Sequence, residues 1–169
     1  MRNFVYGIIF IILGLVVPTD AIVQSIKFDK ECEGYLKNAA DANTPEIALD
    51  RINHALEYME ANGLTNGYTS VLWTTEDENI GFWYQNIKAC KGELEACLGS
   101  PQFEKTNVLM KVRETLTDEG ENGTIITVPC GISRYPNNTK WFLAGCVSIF
   151  FILMGISNFV YALRDYMEF

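Results

Sequence analysis

Residues 141–163 read WFLAGCVSIFFILMGISNFVYAL, 23 positions without one charged side chain. A bilayer core roughly 30 Å thick takes about 20 apolar residues of helix. In that solvent the backbone must satisfy its own hydrogen bonds, which a helix does. The run therefore predicts a membrane-spanning helix, and everything before it reads as tethered to a membrane.

A second apolar run, FVYGIIFIILGLVV, fills residues 4–17 behind Arg2. Two readings of it stand. A signal peptide has a basic start, an apolar stretch of this length and a cleavage site, here after Ala21 with Thr19 at the −3 place. A retained spanning helix instead continues through Pro18 and Asp20 to Val23. Either reading sends residues 24–140 across the membrane. Arg2 and Arg164 lie at the outer ends of the two runs, and the positive-inside rule keeps both in the cytoplasm. The expected organisation is a transmembrane helix or signal peptide over 1–23, an extracytoplasmic helical domain over 24–140, a transmembrane helix over 141–163 and a short cytoplasmic tail over 164–169. Such a tail is too short for an effector domain, so any signal would pass through a partner's helix.

The chain of 169 residues has a net charge of −8, and between residues 19 and 140 it carries 11 Lys plus Arg against 19 Asp plus Glu. An acidic surface repels nucleic acid and anionic headgroups, so neither is an expected partner.

Within that domain the apolar spacing predicts helices. Phe28, Cys32, Tyr35, Leu36 and Ala39 share one face of a helix over 26–40. Thr44-Pro45 opens the next, with Thr as N-cap and Pro in the first turn. Its inward face is Ala48, Ile52, Ala55, Leu56 and Met59, and Gly63 closes it. Thr75 and Glu78 form a capping box for a helix over 76–98 with the stripe Ile80, Trp83, Tyr84, Ile87, Cys90, Leu94 and Cys97. Ser100-Pro101 caps a fourth, to about Leu116, whose apolar residues are Phe103, Leu109, Met110, Val112 and Leu116. Residues 70–73 suit a short extended piece, residues 118–123 an exposed acidic turn, and residues 124–128 a short strand. The fold class expected is mainly α: a membrane-anchored antiparallel bundle of about four soluble helices with one or two transmembrane helices.

Five cysteines occur. Cys146 lies in the spanning run as an apolar filler. Cys32, Cys90, Cys97 and Cys130 are an even set in a domain sent to an oxidising space, where two disulfides can form. Cys90 and Cys97 are seven apart on one helix, hence about 10.5 Å, beyond disulfide reach. The pairings left are Cys32–Cys90 with Cys97–Cys130, or Cys32–Cys97 with Cys90–Cys130, against the alternative of four free buried thiols.

Signals for chemistry are few. His54, the only histidine, lacks ligand spacing and reads as a surface residue beside Arg51 and Tyr58. Glu76, Asp77 and Glu78 complement a helix dipole. Residues 118–123 lack the ligand pattern of an EF-hand loop. No nucleophile motif or phosphate-cradling loop is visible, so no enzyme, cofactor or metal is expected. Tyr68, Trp73 and Phe82 are the candidate interaction patch, since aromatics dominate contact energy at interfaces. In the last helix Gly145, Ser148, Gly155, Asn158 and Ala162 make a small-residue seam for another membrane helix, from the same chain or a second copy.

Residues 64–73 (LTNGYTSVLW), 76–87 (EDENIGFWYQNI), 107–116 (NVLMKVRETL) and 128–138 (VPCGISRYPNN) together resemble a loose group of uncharacterised bacterial and phage-encoded proteins. The resemblance covers about half of the middle domain and carries no activity or site residue. It implies a bacterial or phage origin, with the periplasm or cell exterior as the far side. The function expected is protein–protein binding, as an accessory or scaffold subunit of a membrane complex. A membrane-anchored sensor of a small ligand or cation is the alternative, and an envelope-acting hydrolase a more distant one.

Overall fold

The computed structural model describes residues 2–71, 74–121, 123–131 and 138–167. The chain is mainly helical, with one small two-stranded sheet. Its helices are α1 (Arg2–Phe28), α2 (Gly34–Ala40), α3 (Pro45–Ala61), α4 (Ile80–Cys97), α5 (Gln102–Leu116) and α6 (Thr139–Met167). Two compact units result: Met1–Gln24 with Thr139–Phe169, and Ser25–Asn138.

In the larger unit α2 packs on α3, α3 on α4, α4 on α5, and α5 returns to α2. The inward faces expected for α3 and α4 are buried in full. Thr44 Oγ1 accepts from the Ile47 amide with Pro45 in the first turn. Gly63 takes φ 69° at the other end of α3, where the Leu64 amide donates to the Met59 carbonyl at 2.8 Å. That reversal needs the left-handed region, which glycine enters without a Cβ clash.

The expected spanning run to Val23 and the expected helix over 26–40 are joined without interruption: α1 runs to Phe28, and a π turn (Asp29–Glu33) then leads into α2. The π turn has a packing reason. Phe28, Cys32, Leu36 and Ala40 are buried at steps of four. In a uniform α-helix each such step drifts by ~40°. One turn closed five residues apart, the Gly34 amide on the Asp29 carbonyl, takes up a residue and keeps the four on one line.

Three further boundaries differ from expectation. The Thr75/Glu78 capping box holds only a single 3-10 turn (Glu76–Glu78). Asn79 is the cap that starts α4, its Oδ1 accepting from the Phe82 amide at 3.0 Å. Pro101, not Ser100, stands at the start of α5. The acidic stretch after Leu116 is not all turn: β1 (Thr117–Gly120) pairs antiparallel with β2 (Gly123–Ile126). β2 begins one residue before the expected strand and stops two short of it. Residues 70–71 form no strand, and residues 72–73 lie outside the described residues.

Helix α5 buries only Val112 and Leu116, while Phe103 is 79% and Met110 57% exposed. Its covered face runs 105, 108, 109, 112 and 116, and Phe103 in the first turn is off that line. After β2 the chain crosses back over α4, where Trp83 Nε1 donates to the Thr127 carbonyl at 2.8 Å. The Cys130 amide donates to the Asp77 carbonyl, and Thr69 Oγ1 donates to the Cys130 carbonyl.

Candidate functional site

The smaller unit consists of two helices that meet through small residues. Gly7 lies against Gly155 and Phe159, and Gly14 against Ser148 and Ile152, so α1 and α6 run antiparallel. A β-carbon on Gly155 would fall 2.6 Å from Ile11 Cγ1 and 3.0 Å from the Gly7 carbonyl. One on Gly14 would fall 2.6 Å from Ile152 Cγ1. No side chain fits at either place. Phe4 meets Phe159 edge-on at 5.0 Å, and Phe10 stacks near Phe151 at 6.0 Å, filling the space beside the glycines.

Pro18 sits inside α1. Lacking an N–H, it leaves the carbonyl four residues back, that of Gly14, without its helical partner. Ser148 Oγ of α6, itself buried, donates to that same carbonyl. Asp20 accepts from Gln24 Nε2 at 3.1 Å one turn on. The carbonyl freed by Pro18 and the Asp20 carboxylate are thus answered, one by α6 and one within α1.

Of the expected seam, Ser148 and Gly155 make the close approach. Gly145, Asn158 and Ala162 are half-buried, and none of the described residues outside its own turn lies near the place a Gly145 β-carbon would take. Asn158 Nδ2 donates to the Met154 carbonyl of its own helix at 2.8 Å. The matching glycines of α1 escaped the sequence reading. Their signal was present: Gly7 and Gly14 repeat the seven-residue interval of Ser148 and Gly155. Outside the seam the large side chains are bare, and only 11% of the most apolar stretch of either helix is buried.

In the larger unit the interaction patch is incomplete as described. Phe82 is 62% exposed, Tyr68 is half-buried and bridged to Asn79 one turn before it, and Trp73 lies outside the described residues. The disulfide reading does not match the structure, in which Cys32, Cys90, Cys97 and Cys130 are all free. Cys32, in the π turn, and Cys90, on α4, belong to the main core. Cys97 donates to the Leu94 carbonyl at 3.3 Å, and Cys130 is exposed. Burial pushes the thiols of Cys32, Cys90 and Cys97 above their ordinary range, so they stay protonated at neutral pH.

His54 is a surface residue, stacked obliquely on Tyr35 with ring centres 5.0 Å apart and within 3.9 Å of Asp50 and 3.8 Å of Glu57. Among the described residues no group of His, Cys, Asp or Glu is gathered so as to hold a metal ion. Charged pairs tie the helices at the surface: Lys105 to Glu46 at 3.3 Å, Lys111 to Glu93 at 2.5 Å and Arg113 to Asp41 at 3.0 Å. The Glu46 carboxyl is held below its ordinary range by its own amide at the start of α3 and by Lys105. Tyr84 donates to Glu60 at 2.6 Å, and that bond raises the phenol above its ordinary range.

Beside the Tyr84–Glu60 bond runs an open groove of about 280 Å³ between α3 and α4. Glu57 and Glu60 stand on one wall, Lys88 and Lys91 on the other, and Leu56 and Gly92 also line it. Sequence reading passed over it, although a glycine in the middle of α4 was a visible irregularity. The chain matches no protein-family model, no curated protein and no solved structure, and nothing there bears on the resemblance of residues 64–73 and the three segments after it.

Proposed function

We propose that this is a small integral membrane protein whose paired helices α1 and α6 hold an antiparallel helical bundle on the extracytoplasmic side. There the bundle binds another protein as an accessory or scaffold subunit of a membrane complex. One observation carries the reading: the two long apolar helices cover Gly7, Gly14, Ser148 and Gly155 and leave Phe, Ile, Leu and Val bare. Water disfavours such a surface by about 25 cal/mol per Å² of apolar area, while a bilayer does not. The fit of Gly7 and Gly14 to α6 favours α1 as a retained helix over a removed leader, because its loss would uncover the Ser148 seam. The binding role is supported by the exposed Phe82 and the charged α3/α4 groove.

The test begins with fractionation. The full-length protein is expected in the membrane pellet after an alkaline carbonate wash, with its N-terminal residues still present by intact mass. Protein found in the supernatant without detergent would sink the membrane reading. Sidedness is read by labelling Cys130 with an impermeant maleimide in intact cells. A defined protein should then co-purify in mild detergent and be lost when Phe82 is changed to Ser. Failure to recover one under several detergents leaves the anchor but removes the accessory role.

A further inference from the structure

The α3/α4 groove has three features that together narrow what it takes. The first is Gly92. It lies within α4, in ordinary helix, and among the described residues no atom outside its own turn of helix stands within 4 Å of where its β-carbon would be. Glycine in a helix interior is unfavourable compared with alanine, and nothing among the described residues requires it here. A missing side chain at an exposed helix position suits the close approach of another backbone or side chain.

The second feature is spacing. Asn53, Glu57 and Glu60 follow one face of α3, and Lys88, Lys91 and Glu95 follow one face of α4. Each set lies at helical intervals, so the groove runs along the helices as a long-helix contact would. The third is charge. The acidic pair stands on α3 and the basic pair on α4; Glu60 reaches Tyr84, one turn before Lys88, so Glu57, one turn back along α3, stands nearest the height of Lys88. Glu57 is 77% exposed in its side chain, and Lys91 makes only a 3.8 Å contact with Glu95 of its own helix.

We propose that this face is where a second copy of the chain docks, about a two-fold axis parallel to α3 and α4. The inference rests on the bundle being a binding module. A two-fold contact must be self-complementary, with the same patch used by both partners. An acidic rail beside a basic rail meets that condition. The rotation lays the acidic rail of Glu57 and Glu60 along the basic rail of the second copy, with Glu57 nearest Lys88 of the second copy, and the reverse contact follows by symmetry. Gly92 then lets the helices approach. The net charges of the two copies repel, but over more than about 8 Å that repulsion is screened at physiological salt, and the facing rails decide.

The test uses full-length protein in mild detergent, with molar mass measured by light scattering. Wild type is expected as a dimer. Reversing one rail (Lys88→Glu with Lys91→Glu, or Glu57→Lys with Glu60→Lys) should give monomer, with an unchanged helical circular dichroism spectrum showing that the fold persists. All four reversals together should restore the dimer, and Gly92→Trp should weaken it at least tenfold. A monomeric wild type would overturn the proposal. So would a dimer indifferent to both single-rail reversals, which would place self-association elsewhere, such as on the apolar helices. A different protein held by wild type and released by the rail reversals, without self-association, would overturn the second copy as occupant while leaving the binding role intact.

Discussion

The two units solve the same problem with opposite materials. The larger buries Leu36, Ile52, Met59, Ile87 and Leu94 and turns its Lys and Glu outward. The smaller buries Gly7, Gly14, Ser148 and Gly155 and turns Phe, Ile and Leu outward. In water the gain on folding comes from removing large apolar side chains from solvent. Where the solvent is itself apolar, as proposed for the smaller unit, that gain vanishes. Close backbone contact and a hydrogen bond then hold the helices.

The sharpest way to break the comparison is one kind of truncation made in both units. Ile52→Ala, in the larger core, should cost about 2–5 kcal/mol, read as a lowered midpoint in denaturant. Ile149→Ala, 59% exposed on α6, should change stability in detergent by no more than ~0.5 kcal/mol. Equal losses would mean that α6 faces a conventional core. The converse change, Gly155→Leu, adds carbon where 2.6 Å is free, and should cost about 1–3 kcal/mol and weaken the helix pair in a membrane association assay. An unchanged association signal would remove the glycine contact as its basis.

Tyr84→Phe should cost about 0.5–1.5 kcal/mol, the scale of one hydrogen bond. Its pH dependence has a defined sign. The phenol is raised by the bond to Glu60, so the stability it brings is complete below the unfolded tyrosine value of about 10 and is lost as pH rises through the raised value. The wild-type melting temperature should therefore fall on that alkaline side, and Tyr84→Phe should lack this part of the fall.

Ser148→Ala is expected to cost about 0.6 kcal/mol, a typical figure for hydrogen bonds between membrane helices. The informative measurement is the cycle with Pro18→Ala. Alanine at 18 restores an N–H to the Gly14 carbonyl, so removing the Ser148 hydroxyl should then cost close to nothing. The same loss in both backgrounds would separate Ser148 from the proline. Finally, a water-soluble maleimide should modify Cys130 promptly and leave Cys32, Cys90 and Cys97 unmodified until denaturant is added. A protein that yields no reaction at Cys130 before reduction would point back to a disulfide there.

Periodicity carried far in the larger unit. Every inward residue expected on α3 and α4 is buried, because a stripe repeating each three to four residues has one way to leave water. It failed on α5, where Phe103 and Met110 are apolar but off the covered line, since hydrophobicity does not state which face a neighbour will cover. It also missed β1, whose Asp and Glu carry no strand preference and pair only because β2 lies alongside. Cysteine parity suggested bridges, but parity says nothing about distance.

What the residues determined alone were the local properties: two runs long and apolar enough to span a membrane, the inward stripes, the Thr44 cap and the Gly63 reversal. Each follows from a side chain and its near neighbours along the chain. The tertiary structure decided which distant positions answer one another. Ser148 meets the carbonyl freed by Pro18, Gly7 and Gly14 meet α6, and the rails of α3 and α4 share one groove. Such pairings depend on helix orientation and on a π turn that shifts the phase of a whole face, quantities that exist only once elements have packed.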